Sequence, residues 1–375
     1  MPQALLGETA SLPDWISAIS QLLFLLLFVM IFLGFNQRFQ VYVWKGDIKQ
    51  KLMIIERIAL ESREKTREFM IRHKGRNVDE VLKKVMDFFL IEPVSIEPTD
   101  IIKRLDHLFS VRRHRFKDIF REAMPEADDI TRSKAETAAE ISGALNYIVK
   151  VIKHILILEE KTRNWILVMQ LQMLMPLILR VAESLRRALD DFLKGVPIGD
   201  GAGPMVASML LSNGDSWREI VEDTVVAETT LEDRRVFIVK AKGPGSNVGR
   251  PGLATEKLVE GLIAGGAKPS MIITVDAALK LESEETGEVA EGVGAAIGDP
   301  GPEKIRFERL ASKHGIPLRA VIIKMSQEEA ISGMTKKIYE GTRRAYEIVK
   351  DLILRETKPG DIVIVAGIGN TVGIM

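Results

Sequence analysis

The sequence contains no cysteine and only five histidines among its 375 residues. The lack of cysteine excludes disulfide bonds, thiolate nucleophiles, iron–sulfur clusters and cysteine-bound zinc. The few scattered histidines exclude a histidine-rich metal tract. Asparagine and glutamine are also scarce, whereas 28% of the residues are charged. Because proteins from hot environments favour charge over thermolabile residues, we expect a thermophilic source.

The chain also lacks an excess of charge of either sign. It has 52 Lys and Arg and 52 Asp and Glu, so its formal net charge is zero. A basic footprint for nucleic acid is therefore missing, and we expect no nucleic-acid partner. The densest basic cluster, Arg112 to Lys117, could bind RNA or anionic lipid, but a solvated helix face is the simpler interpretation. The length predicts about two or three domains.

The segment from Trp15 to Phe35 is long, apolar and free of charged residues. At 1.5 Å per residue, it is long enough to cross a hydrocarbon core of roughly 30 Å. The acidic residues Glu8 and Asp14 precede it, which argues against the basic start of a signal peptide. Four basic residues follow it, namely Arg38, Lys45, Lys49 and Lys51. We therefore predict a single-pass anchor in residues 1–44, bound to the lipid bilayer of the cell membrane through residues 15–35, with the bulk of the chain in the cytoplasm.

Residues 45–193 show the spacing of three and four residues between apolar positions that is typical of helices, as in Ile141, Leu145 and Ile148. About five helices are predicted in this helical domain, near 45–72, 78–91, 98–122, 128–160 and 164–193. The apolar stretch Trp165–Leu179 is too short and too polar to span a bilayer, so we expect a buried helix or a subunit contact. A homo-oligomer is therefore possible.

Glycine becomes frequent after Leu193, and apolar runs begin to alternate with helical patterns. The predicted strands lie at 236–242, 270–278, 288–297, 318–325 and 361–369. Predicted helices lie near 203–212, 252–266, 302–314, 327–333 and 335–356. Apolar strands that alternate with helices indicate a doubly wound, mainly parallel sheet with helices on both faces. We therefore predict an α/β domain over residues 194–375, with functional residues beyond the carboxyl ends of its strands.

Two aspartates lie at such positions. Asp276 follows the apolar run Met271–Val275, and Asp200 lies between two glycines at the start of a predicted helix. Each has a structural explanation, a helix cap for Asp200 and a loop hydrogen bond for Asp276. At one edge of a sheet, however, two carboxylates could share a proton and activate water, or could hold one metal ion.

Two resemblances bear on the fold and function. The whole chain resembles an uncharacterised archaeal membrane-protein family, domain of unknown function 1512, which supplies no activity. The stretch AKGPGSNVGRPGLATEKLVEGLIAGGAKPSMIITVDAA, together with KHGIPLRAVIIKM, resembles the core of the spore germination proteases. IGDGAGPMVASML resembles a helix entry of that family and the acidic turn of the hydrogenase maturation proteases. The resemblance implies a shared α/β fold in which two acids carry out or support peptide cleavage, and these acids match Asp200 and Asp276.

The order of the motifs differs from those families. There the acidic turn directly follows a first strand that ends Gly-x-Gly-Asn, whereas here DIVIVAGIGN occupies 361–370. A circular permutation would explain the difference, and it predicts that this strand is central and ends beside Asp200. The hydrogenase maturation proteases also carry a metal-binding histidine. His314 precedes a strand instead of following one, so we assign no metal ligand, and a divalent metal is possible without a clear histidine.

The leading hypothesis is a membrane-anchored cytoplasmic peptidase-like protein that uses Asp200 and Asp276. A glycine-rich edge would admit the backbone of a protein or peptide substrate. Its residues are Gly243, Gly245, Gly249, Gly367, Gly369 and Asn370. The alternative is a catalytically inactive hydrolase fold that binds a ligand or acts as a scaffold and signals through the helical domain. A phosphate site around KGPGSNVGRPG, with Lys240, Lys242 and Arg250, is a third hypothesis, although no complete phosphate-binding motif is present.

Overall fold

A computed structural model of the chain describes residues 14–32, 35–91, 93, 100–212, 215–298 and 301–375. These residues form two compact units. One consists of the described residues up to Ile54 together with Val149–Ile178, and the other of Ile55–Ile148 and Leu179–Met375. Residues 33 and 34 of the predicted membrane span, and residues 98 and 99 of a predicted helix, lie outside the described residues.

The N-terminal half is helical, as predicted. Its described helices are α1 Asp14–Phe32, α2 Phe35–Arg72, α3 Val78–Met86, α4 Ile101–Ala123, α5 Asp129–Thr162 and α6 Trp165–Lys194. Helix α2 begins ahead of the 45–72 pattern, so the predicted domain border at residue 44 falls inside it. Length and composition alone would also allow α5 and α6 to cross a membrane, a test that core helices of soluble proteins pass too.

The first unit brings α1 and the start of α2 together with the end of α5 and the start of α6. Lys45 pairs with Glu159, and Gln172 donates to Asp47 Oδ2 at 2.7 Å. These polar contacts hold α2 beside α5 and α6. By contrast, the described apolar side chains between Ile19 and Val29 of α1 are largely exposed.

The C-terminal half contains a sheet and further helices. The helices are α7 Ala202–Met209, α8 Pro251–Ala264, α9 Pro302–His314, α10 Gln327–Ile331 and α11 Lys336–Glu356, and a 3-10 turn occupies Gly199–Gly201. The strands are β1 Arg218–Val221, β2 Thr224–Leu231, β3 Arg234–Ala241, β4 Met271–Leu279, β5 Val289–Val293, β6 Leu318–Met325 and β7 Ile362–Gly367.

The seven strands form one mixed sheet in the order β1-β2-β3-β7-β4-β6-β5. Strands β3, β7, β4 and β6 are mutually parallel, whereas the β1–β2, β2–β3 and β5–β6 pairs are antiparallel. The prediction of a mainly parallel sheet was therefore wrong at both edges. At the β1 edge, the turns that reverse the chain contain Asp223, Glu232 and Asp233 at positive φ. They are Glu-Asp pairs and not the Asn-Gly pairs that usually indicate a hairpin, so β1 and β2 escaped prediction.

Helices cover both faces of the sheet, as predicted. Alternate residues of β7 point to opposite faces, so that Val363 and Val365 pack with α7 and α11. Ile362 and Ile364 pack with α8 and α9 on the other face. Because both faces are covered, the central strands are apolar throughout.

Strand β7 confirms the prediction for DIVIVAGIGN. It is central, it pairs in parallel with β3 and β4, and all six of its residues are buried. Beyond its carboxyl end, the Asn370 N–H donates to Asp200 Oδ2 at 2.8 Å, across 170 residues of sequence. The end of the chain therefore supplies the strand beside which Asp200 lies.

Candidate active site

Asp200 lies on the 3-10 turn that leads into α7. Gly201, and not Asp200, occupies the N-cap position of α7, so the predicted helix-cap role of Asp200 was wrong. Its carboxylate instead accepts the Asn370 N–H. Gly203 permits this placement, because a Cβ at Gly203 would overlap the carbonyl oxygens of Ile368 and Val275. Helix α7 thus starts directly against the carboxyl ends of β7 and β4.

Asp276 lies in β4 at the point where the pairing with β7 ends. The last paired residue of β4 on that side is Val275, opposite Gly367, and β4 continues along β6 to Leu279. The sequence placed Asp276 at the end of the strand, whereas it is the first residue beyond the β7 pairing. Its side chain is only 5% exposed. Both carboxylate oxygens accept backbone N–H groups, Oδ1 from Ala277 at 2.7 Å and Oδ2 from Gly298 at 3.1 Å.

Asp200 and Asp276, called the acid pair below, influence each other electrostatically. Burial raises the pKa of Asp276 well above its usual range, and the charge of Asp200 raises it further, against the two N–H donors. Burial also raises the pKa of Asp200, and the Asn370 N–H opposes the rise. The charge of Asp200 therefore favours the protonated form of Asp276.

Neither carboxyl of the acid pair has a lysine or arginine partner among the described residues. A buried carboxyl and a half-buried one without a cation cost folding free energy, which is a common property of functional acids. Among the described residues, no group of three or more His, Asp or Glu is arranged to hold a metal ion.

The predicted glycine-rich edge is packed against the chain's own atoms. A Cβ added at any of four of these glycines would overlap atoms of the chain itself. At Gly243 it would meet the carbonyl oxygen of Ile374, and at Gly249 the hydroxyl of Thr224 and the carbonyl oxygen of Asp223. At Gly367 it would meet the carbonyl oxygen of Gly203, and at Gly369 that of Asp200. Gly369 also has a φ of +128°, which L residues rarely adopt. These glycines allow close internal packing around the acid pair, and their contact with a substrate stays a prediction.

Asn370 connects the acid pair to the helical part of the same unit. While its N–H binds Asp200, its Nδ2 donates to Ser246 Oγ at 3.1 Å. Thr137 of α5 donates to the same Ser246 Oγ at 2.8 Å. A continuous chain of hydrogen bonds therefore links Asp200 to helix α5.

A polar cavity of about 260 Å³ lies between α4, α5, the β1–β2 turn and the loop Gly243–Asn247. We call it the α4–α5 cavity. Its charged lining residues are Lys117, Arg121, Asp129, Arg132, Glu136, Glu219, Glu222, Asp223 and Lys242. The sequence patterns did not reveal this cavity, because its lining comes from four separate segments. Gly243 and Gly245 of the predicted edge line it, whereas Asp200 and Asp276 do not.

The three cations of the phosphate hypothesis do not converge. Lys242 donates to Glu219 at 2.8 Å, and Arg250 pairs with Asp106. Lys240 is buried against the Trp217 ring, 4.7 Å from its centroid, and burial lowers the pKa of Lys240 to about 8. The structure therefore does not favour a phosphate site on this loop.

Two family models match the chain. The one described as "Protein of unknown function (DUF1512) N-terminal domain" matches residues 22–195. The one described as "Domain of unknown function (DUF1512) C-terminal" matches residues 198–375. The junction between them follows the end of α6 at Lys194 and precedes the turn that carries Asp200. A comparison with curated proteins found no match.

Proposed function

We propose that this chain, which belongs to the DUF1512 family, is a membrane-anchored peptidase whose acid pair hydrolyses peptide bonds. The observation that carries the proposal is the position of two carboxyls without a cationic partner, half-buried Asp200 and buried Asp276, at the carboxyl ends of central parallel strands. Catalytic sites of open α/β sheets form at this edge. The similarity to the spore germination and hydrogenase maturation proteases supports the same two residues.

Because the charge of Asp200 raises the pKa of Asp276, we assign the base to Asp200 and the acid to Asp276. Ionised Asp200 accepts a proton from a water molecule as the water oxygen attacks the peptide carbonyl carbon. Neutral Asp276 donates its proton as the C–N bond breaks and the leaving amine forms. The peptide gains one water across the broken bond. Transfer of the proton from Asp200 to Asp276 then restores the starting state of the pair.

The predicted span through α1 supports the membrane anchor. Because basic residues follow this span, the chain beyond it belongs in the cytoplasm. A fluorescent or enzymatic reporter fused after Met375 should therefore be digested by protease added to inside-out vesicles. A reporter that survives in those vesicles but is digested in intact, right-side-out cells would reverse the topology.

A second candidate function is a ligand-binding module without turnover. The hydrogen-bond chain from Asp200 through Asn370 and Ser246 to Thr137 favours it, because a change at the acid pair would reach α5 directly. In this case the helical part would report ligand binding, and the acid pair would bind a polar group without cleaving it.

Mass spectrometry of a peptide library separates the two functions. The full chain in detergent micelles is incubated with peptides of mixed sequence, and new amino and carboxyl termini are counted over time. A peptidase produces new termini in proportion to enzyme concentration, with one oxygen-18 incorporated per cut from labelled water. Retention of peptides without any cleavage would support the binding module and overturn the peptidase.

A further inference from the structure

We infer that the α4–α5 cavity binds an organic cation, a primary ammonium or a guanidinium group, and that Glu136 is its carboxylate partner. The Gly243–Asn247 loop lines the cavity and also contacts the segment that binds Asp200. Thr371, next to Asn370, donates to Gly245 O at 3.0 Å, and Gly245 lines the cavity. One loop therefore contacts both the cavity and the residues next to the acid pair.

The cations of the cavity already have carboxylate partners. Lys117 binds Glu222 at 2.8 Å and also Asp223, and Lys242 binds Glu219. Arg132 binds Asp129 at 2.7 Å, and Arg121 pairs with Asp118. Glu136 is the lining carboxyl for which the described residues provide neither an ion pair nor a hydrogen bond. Five acids and four cations line the cavity, and one of these cations, Arg121, pairs with a carboxylate outside the lining, so the lining has an excess of negative charge.

The environment of Glu136 favours a cationic ligand. Burial raises the pKa of Glu136 to about 7, and the nearby Glu140 adds to the rise. The other charged groups that face it are Lys117 and Arg112 of α4 and Asp223 of the β1–β2 turn. An unpaired, half-buried carboxyl of this kind is stabilised in its ionised form when a cation enters and supplies the missing partner.

The position of the cavity relates the cation site to the substrate of the proposed peptidase. A lysine or arginine side chain of a substrate could enter the α4–α5 cavity while its backbone lies near the acid pair. This extension to substrate selection rests on the proposed function, whereas the binding of a cation to Glu136 does not.

The test is isothermal titration calorimetry of the full chain in detergent micelles with Nα-acetyl-arginine amide. Nα-acetyl-citrulline amide has nearly the same shape without the charge and serves as the neutral probe. The arginine probe should bind at least about tenfold more tightly than the citrulline probe. Glu136→Gln should remove this preference, whereas Glu160→Gln, an exposed site on the same helix, should preserve it.

The pH dependence provides a second readout. Because a protonated Glu136 cannot pair with a cation, binding should weaken as the pH falls below the pKa of Glu136. This dependence should disappear in Glu136→Gln and persist in Glu140→Gln, which tests the neighbouring carboxyl separately. Equal binding of both probes, no binding by the folded wild-type chain, or full binding by Glu136→Gln would each overturn the inference.

The same titration in an Asp276→Asn background keeps this inference separate from the peptidase proposal. The probe should bind this variant as it binds the wild-type chain, although cleavage is lost. In the wild-type chain, charge-dependent binding of the probe without any peptide cleavage would support the cavity and contradict the peptidase. Cleavage by the wild-type chain without a preference for basic residues, and without probe binding, would contradict the cavity and support the peptidase.

Discussion

Replacing either Asp200 or Asp276 with asparagine is expected to slow peptide cleavage by about 10²- to 10⁴-fold, the range for loss of a positioned acid or base. Asparagine has nearly the volume of aspartate but can neither take up nor release the proton. Because the two carboxyls act as one unit, the double variant should be little slower than either single variant. Initial rates of cleavage of one identified library peptide provide the measurement.

The pH profile of the wild-type chain should reflect the same division of roles. Activity rises with pH as Asp200 loses its proton and falls at higher pH as Asp276 loses its own, so a bell-shaped profile is expected. Asp351→Asn, which changes an exposed acid on α11, is the matched control and should keep full activity. Full activity in a folded Asp200→Asn or Asp276→Asn variant would contradict the catalytic role.

Both asparagine variants should remain folded. The pKa of Asp200 and that of Asp276 are raised by burial, so the charged forms cost folding free energy. The stabilising effect of the neutral carboxyls is fully present below their ordinary pKa and is lost as the pH rises through the raised pKa values. Removing the charge should therefore increase stability in alkaline solution, whereas in acid Asp276→Asn should lose some stability because its amide nitrogen cannot accept one of the two N–H groups. Urea unfolding across this pH range separates a lost activity from a lost fold.

Gly203→Ala is expected to lower the free energy of unfolding by about 3 kcal/mol, as overpacking of a tight core does. The added Cβ would overlap two backbone carbonyl oxygens, those of Ile368 and Val275, and neither can rotate away as a side chain could. Helix α7 would have to move off the sheet, and Asp200 would move with it. Cleavage activity should therefore fall together with stability.

Gly261→Ala is the matched control for this substitution. Gly261 also lies within a helix, α8, but its Cβ position has no atom within 4 Å. Alanine there should raise stability by about 1 kcal/mol, because glycine is the poorer helix former. Denaturant unfolding of both variants gives the comparison, and equal stability of Gly203→Ala and the wild-type chain would contradict the packing of α7 against β4 and β7.

Much of the architecture was predictable because the C-terminal half obeys simple periodic rules. Strand β7 is an uninterrupted apolar run, which only a doubly covered central strand needs, and the structure places it there. Strands β1 and β2, the edge strand and its neighbour, were missed because both carry exposed polar residues and their turns lack glycine. A mixed sheet could therefore not be distinguished from a parallel one.

The acid pair could be predicted from the sequence, whereas Glu136 of the α4–α5 cavity could not. Asp276 and Asp200 stand out in the sequence because an acid next to apolar or glycine-rich residues is unusual. Glu136 does not, since it lies on a helix among many other charged residues, and only the tertiary structure shows that it lines a cavity without a partner. The internal contacts of the glycines were equally invisible, because each joins segments far apart in sequence.

The acid pair itself is tested most directly by carbon-13 NMR of the aspartate carboxyls, titrated in the folded chain. Signals are assigned by their loss in Asp200→Asn and Asp276→Asn. The account predicts that Asp276 titrates well above the ordinary aspartate range and that its pKa falls when Asp200 becomes asparagine, because the neighbouring charge is gone. Asp276 titrating in the ordinary range, or a pKa indifferent to Asp200, would contradict the coupled pair on which the proposed function rests.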